Sequence, residues 1–170
     1  MTFGQQVLAS FVGTAFGFIF AILLFLITGA IKAHLNKKNL RKHLKREFEY
    51  DISLLQEWID EIDKILRKIT AKDQEVFSYL RYTFFQRFFM QEAFRSGIMY
   101  NSLNNEHISN LNTILVHCDT GIEQYLNGAI QQWKTGQLMQ QAALRQFEFE
   151  KDELIKFQKH LREILIILNK

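Results

Sequence analysis

The chain has no proline and a single cysteine, and its first 31 residues carry no charged side chain. One cysteine excludes a disulfide-stapled scaffold. The lack of proline over 170 residues points to helix, whose interior excludes proline more strongly than any other residue. The signatures of familiar active sites are also missing. There is no Walker A loop, no GxGxxG, no GxSxG and no HExxH. No Glu-x-x-His pair occurs, although that pair holds metals in many helical bundles. His34 and His43 fall in a basic stretch, and His107 stands near an expected helix start. His117 and Cys118 are adjacent, so they point about 100° apart around a helix. No catalytic residue, cofactor or metal site is therefore expected. Cys118 reads as a small buried hydrophobe on an apolar stripe.

What is present is unevenly spread. An apolar content of 48% with 16 phenylalanines excludes a generic disordered chain. The net charge of +3 conceals a segregation. Residues 32–46 hold seven basic side chains and no acid: Lys32, Lys37, Lys38, Arg41, Lys42, Lys45 and Arg46. Residues 47–170 hold the other 14 basic residues and all 18 acids.

Val7 to Ile31 is an apolar run of 25 residues, broken only by Ser10, Thr14 and Thr28. At about 1.5 Å per residue it is long enough to cross a hydrocarbon core of about 30 Å. A cleaved signal peptide would have basic residues before a shorter apolar core. Here the basic residues follow the core, so a retained transmembrane helix is expected. Their position places the N-terminus outside and the rest in the cytoplasm, in the cell (inner) membrane. The same seven residues are candidates for contact with anionic lipids. Nucleic acid is disfavoured as their partner, because the membrane is the nearer polyanion and the remainder of the chain is net acidic. Within the run, Ala9, Gly13, Gly17 and Ala21 recur every fourth residue. Such a ladder of small residues lets helix backbones approach closely, so homo-oligomerisation through the membrane is expected.

The expected organisation is all-α: an N-terminal transmembrane anchor over 1–33, a basic juxtamembrane helix or linker over 34–46, and a cytoplasmic antiparallel helical bundle over 47–170. No strand pattern follows residue 32. Phe48, Ile52, Leu55, Ile59, Ile62, Leu66 and Ile69 step by threes and fours, the apolar seam of one amphipathic helix, with Leu40 and Leu44 extending it backward. Thr70-Ala-Lys-Asp73 resembles a helix N-cap and predicts a second helix over about 71–99, ended by Gly97. A third is expected over 106–134, with Ile108, Leu111, Leu115, Cys118, Ile122, Tyr125, Ala129 and Trp133 on one stripe. Gly121 and Gly128 inside it imply a close crossing or a kink. A fourth spans 137–168, with Leu154, Phe157, Leu161, Ile164 and Leu168 inward. The acids Asp60, Glu61, Asp63, Glu148, Glu150, Asp152 and Glu153 read as solvated faces.

The expected second helix is the most unusual segment, with eight aromatic residues between 76 and 94. At 100° per residue, Phe77, Leu80, Phe84 and Phe88 share one face and are expected in the core. Tyr79, Tyr82, Phe89 and Met90 lie around the other side and form a candidate protein interface. The expected function is non-enzymatic: a single-pass membrane protein that self-associates and recruits or regulates a cytoplasmic or membrane protein partner. The alternative is an oligomerising membrane effector of defence or toxin type that perturbs the bilayer. Depolarisation of expressing cells, read with a potential-sensitive dye, separates the two. Replacing Gly13 and Gly17 with leucine should reduce signal in a reporter of transmembrane association. An unchanged signal would reduce the ladder to a matter of composition.

Overall fold

A computed structural model describes residues 3–75 and 79–169, with side chains from Phe20 onward. Among the described residues there is no strand. The described residues form six α-helices: α1 Phe3–Thr70, α2 Phe88–Arg95, α3 Ile98–Ser102, α4 Asn105–His117, α5 Thr120–Lys134 and α6 Gln140–Leu168. A 3₁₀ turn occupies Tyr82–Phe84. Two compact units result, Met1–Leu40 and Arg41–Lys170.

In the first unit every residue from Phe20 to Asn39 is exposed. This part of α1 is long and apolar enough to cross a membrane.

In the second unit, the remainder of α1 buries two stripes. Leu44, Phe48, Leu55, Ile59, Ile62 and Ile69 of the expected seam are in the core, while Ile52 and Leu66 are half-buried. A second buried stripe, not anticipated by that seam, consists of Glu47, Asp51, Leu54, Trp58 and Ile65. The first stripe adjoins α6, which runs antiparallel. Gln158 Nε2 donates to the Ile52 carbonyl at 3.1 Å, Lys151 Nζ meets Asp63 Oδ1 at 2.6 Å, and Gln140 Nε2 donates to the Ile69 carbonyl at 2.9 Å. On α6, Leu154, Phe157, Leu161, Ile164 and Leu168 are all buried, as their spacing predicts. α4 is also antiparallel to α6, with Asn110 beside His160 and His117 beside Glu150.

Among the described residues the expected helix over 71–99 is reduced to the 3₁₀ turn and α2. Its apparent N-cap is instead the end of α1. The Asp73 N–H reaches back to the Lys68 carbonyl, and the Lys72 N–H to that of Ile69, the paired bonds of a Schellman turn. Lys72 takes the left-handed conformation that this turn requires, with φ 58°, where Gly136 does the same after α5 at 73°. Asp73 then accepts the Glu75 N–H rather than capping a helix.

From Tyr79 to Thr83 exposure alternates residue by residue, with Leu80 and Tyr82 inward and Tyr79, Arg81 and Thr83 outward. A helical step of 100° does not apply to such a backbone. This overturns part of the expected core: Leu80 is buried, but Phe84 and Phe88 are 52% and 74% exposed. Phe77 lies outside the described residues. Phe85 fills the core in their place, beside Trp58.

The expected third helix is divided at Cys118. Asp119 caps α5 by accepting the N–H groups of Gly121 and Ile122, so Gly121 belongs to a first turn. Gly128 has open space where a Cβ would stand, so no close helix crossing explains it. The stripe also fails at Tyr125, which is 63% exposed, while Leu126 and Ile130 turn inward.

Two comparisons check this packing in the full chain, in detergent, by thermal unfolding. Phe48→Ala should cost about 3–5 kcal/mol, and the exposed Phe84→Ala less than about 1 kcal/mol. Lys72→Gly should stabilise by about 1 kcal/mol by relieving the left-handed strain.

Candidate buried acid cluster

The segment between α1 and α4 lacks the hydrogen bonds of a long helix, so its backbone needs other partners. They come from side chains of α1 and α5. Asn127 on α5 accepts the Leu80 N–H at 3.0 Å and donates Nδ2 to the Leu80 carbonyl at 2.8 Å. Glu123 accepts the Thr83 N–H at 3.0 Å. On α1, Asp51 accepts the Gln86 N–H at 2.8 Å. Glu47 accepts the N–H groups of Phe89 and Met90, each at 2.8 Å. Those two belong to the first turn of α2, whose own N-cap Arg87 offers no side-chain bond. A carboxylate at a helix N-terminus also meets the positive end of the helix dipole. Glu47 therefore caps α2 from another helix. Arg87 bonds the Cys118 carbonyl at the end of α4.

A second buried group lies beside this one. The Tyr82 hydroxyl donates to Glu150 Oε1 at 2.5 Å, and His117 Nε2 lies 2.9 Å from the same oxygen. The Tyr82 ring packs on Trp58 at 4.3 Å, and the His117 ring meets Phe157 edge-on at 4.9 Å. Glu150, expected on a solvated face, is thus interior, because two hydrogen-bonding partners converge on it. Two surface grooves, of about 600 and 310 Å³, flank His117, with Ile122 common to both.

Electrostatics here follow burial. Burial raises the carboxyl of Glu47, opposed by the N–H groups at the start of α2. Burial also pushes Asp51 up to about 8; the Gln86 N–H opposes this and neighbouring Glu47 adds to it. Its Oδ2 is buried without a hydrogen-bond partner. Burial, followed by the charge of Glu150, raises both the Tyr82 phenol and the Cys118 thiol. Both groups stay protonated at neutral pH, so neither supplies a nucleophile. Among the described residues no three His, Cys, Asp or Glu side chains converge as metal ligands.

The positions singled out in the sequence are dispersed. Ala9, Gly13 and Gly17 lie outside the residues with described side chains, and Ala21 is exposed. Lys32, Lys37, Lys38, Arg41, Lys42 and Arg46 are exposed, and Lys45 is half-buried. Of the candidate interface residues, Tyr79 is exposed and Phe89 half-buried, stacked on His43 at 4.8 Å. Tyr82 and Met90 are fully buried and offer no surface to a partner. They turn inward because a 3₁₀ turn at Tyr82–Phe84 and the separate helix α2, capped by Glu47, stand in place of one long helix. Glu47 and Asp51 were the residues that apolar periodicity missed. Their signal was four-residue spacing on the inner side of an apolar seam, where a solvated acid would not stand.

Compared with protein-family models, with curated proteins and with solved structures, the chain matches none.

The acid cluster has a pH signature. Asp51 has a folded pKa above its ordinary value of 3.8, so the folded state holds the proton more tightly. Its contribution to stability is greatest below about 4 and is lost as pH rises towards about 8. Unfolding curves of the full chain should show this decline, and Asp51→Asn should flatten it, since the amide retains an acceptor for Gln86 and carries no charge. An equal decline in the variant would remove Asp51 as its cause.

Proposed function

We propose that this chain is a non-enzymatic single-pass membrane protein. Residues 7–31 anchor it, with the N-terminus outside. The unit from Arg41 onward is presented in the cytoplasm, where it self-associates and recruits or regulates a protein partner. The observation that carries the reading is the exposure of Phe20, Ile22, Leu23, Leu24, Phe25, Leu26, Ile27 and Ile31 along one uncharged stretch of helix. A monomeric soluble protein rarely leaves so continuous an apolar surface in water. At about 0.3–0.6 kcal/mol each, residues of this kind favour the bilayer by a few kcal/mol. The basic stretch that follows supports the orientation.

The chain should remain in the membrane pellet after alkaline carbonate extraction. A cytoplasm-active reporter fused after Lys170 should work, and a periplasm-active one should be silent. Release by carbonate would overturn the anchor, and the reverse reporter pattern would overturn the orientation.

A further inference from the structure

We infer that the corner formed by α2 and α3 is a lipid-contacting surface that seats the second unit on the anionic membrane face. The inference rests on the membrane-anchored reading above and deepens it. α2 leaves the level of Glu47, and the chain returns at α3 to the beginning of the unit, where Arg41 Nη2 donates to Ser102 Oγ at 3.0 Å. Tyr100 projects from α3 with 63% of its surface exposed, its ring edge-on to Phe94 at 5.6 Å. Arg95, at the end of α2, is exposed beside it in sequence.

Both residue types suit a headgroup layer. Tyrosine places an apolar ring and a polar tip across the interface. Arginine adds attraction to anionic lipid. Arg41, Lys42, Lys45, Arg46 and Arg95 outnumber the exposed acids Glu49, Glu92 and Glu106 in the same segments. Glu92 lies 3.8 Å from Arg95 and offsets part of its charge. The acids that would otherwise cancel this excess, Glu47 and Asp51, are buried and bonded to the backbone of Met90, Phe89 and Gln86. Connectivity supplies the remaining constraint. Arg41 is ten positions beyond Ile31, a reach of at most about 35 Å even when extended. The opposite end of the unit, where Gln140 meets the Ile69 carbonyl, has an exposed apolar residue of its own in Met139, 79% accessible, but stands 28 helical residues from Arg41.

The test uses the full chain in vesicles of phosphatidylcholine, alone or mixed with phosphatidylglycerol, containing lipids brominated near the headgroup. Tyr100→Trp and Met139→Trp are compared with the parent, whose Trp58 and Trp133 are buried and give the background. In the anionic vesicles the emission added at position 100 should fall about twofold or more, and that at position 139 should not change. In phosphatidylcholine alone the loss at position 100 should be smaller, and Arg41→Glu with Arg95→Glu should diminish it in the anionic vesicles. Solvent-like, unquenched emission at position 100 would overturn the inference. Blue-shifted but unquenched emission would overturn it equally, since protein rather than lipid would then cover the site. Phe25→Trp separates the two readings. Its quenching by bromine placed deep in the acyl chains shows the anchor in place, so failure at position 100 alone leaves the membrane reading standing, whereas failure at both removes the two together.

Discussion

The backbone between Leu80 and Met90 finds its partners on other elements, and much of the second unit depends on that exchange. Asn127 and Glu123 on α5 and Asp51 and Glu47 on α1 receive N–H groups that a continuous helix would have satisfied internally. A buried N–H left without an acceptor costs about 1–3 kcal/mol. These acceptors are therefore strong enough to compete with the modest propensity of an aromatic-rich segment for helix. The cost falls on the acids. Asp51 in particular is held where its charged form is disfavoured, and one of its oxygens goes unpaired.

α1 carries two different kinds of surface. Over Phe20–Asn39 its residues are exposed on every side, and α1 is there long and apolar enough to cross a membrane. From Leu44 onward the same helix buries two stripes. One is apolar and packs beside α6; the other brings Glu47, Asp51 and Trp58 to the segment that precedes α4. The function proposed above uses both: an anchor, and a helical unit whose aromatic and basic surface is shaped by where the acids hold α2.

Apolar spacing foretold the elements whose buried face follows helical periodicity alone. α6 and the Phe48–Ile69 seam are of this kind, and so is the buried Cys118. Spacing failed where side-chain hydrogen bonds override periodicity. Thr70 and Asp73 have the residues of a helix start, yet the backbone uses them to end α1. Asp119 divides a stripe whose spacing continues across the break. A single helical step places Tyr82 and Met90 on a surface, but the backbone is divided between a 3₁₀ turn and α2, and both residues are buried. The candidate site was less legible than the fold, because Glu47, Asp51 and Glu150 become buried only through partners 33 to 68 residues away. Local patterns do not contain such pairings.

Amide hydrogen exchange on Glu47→Ala tests the account most directly, read residue by residue in the full chain. Losing the acceptor should accelerate exchange at Phe89 and Met90 by about 10- to 100-fold, the equivalent of a charge-assisted hydrogen bond. The amides of Leu154 and Phe157 in α6 should retain their protection. Unchanged exchange at Phe89 and Met90, or equal acceleration throughout the unit, would contradict the claim that α1 acids hold this segment in place.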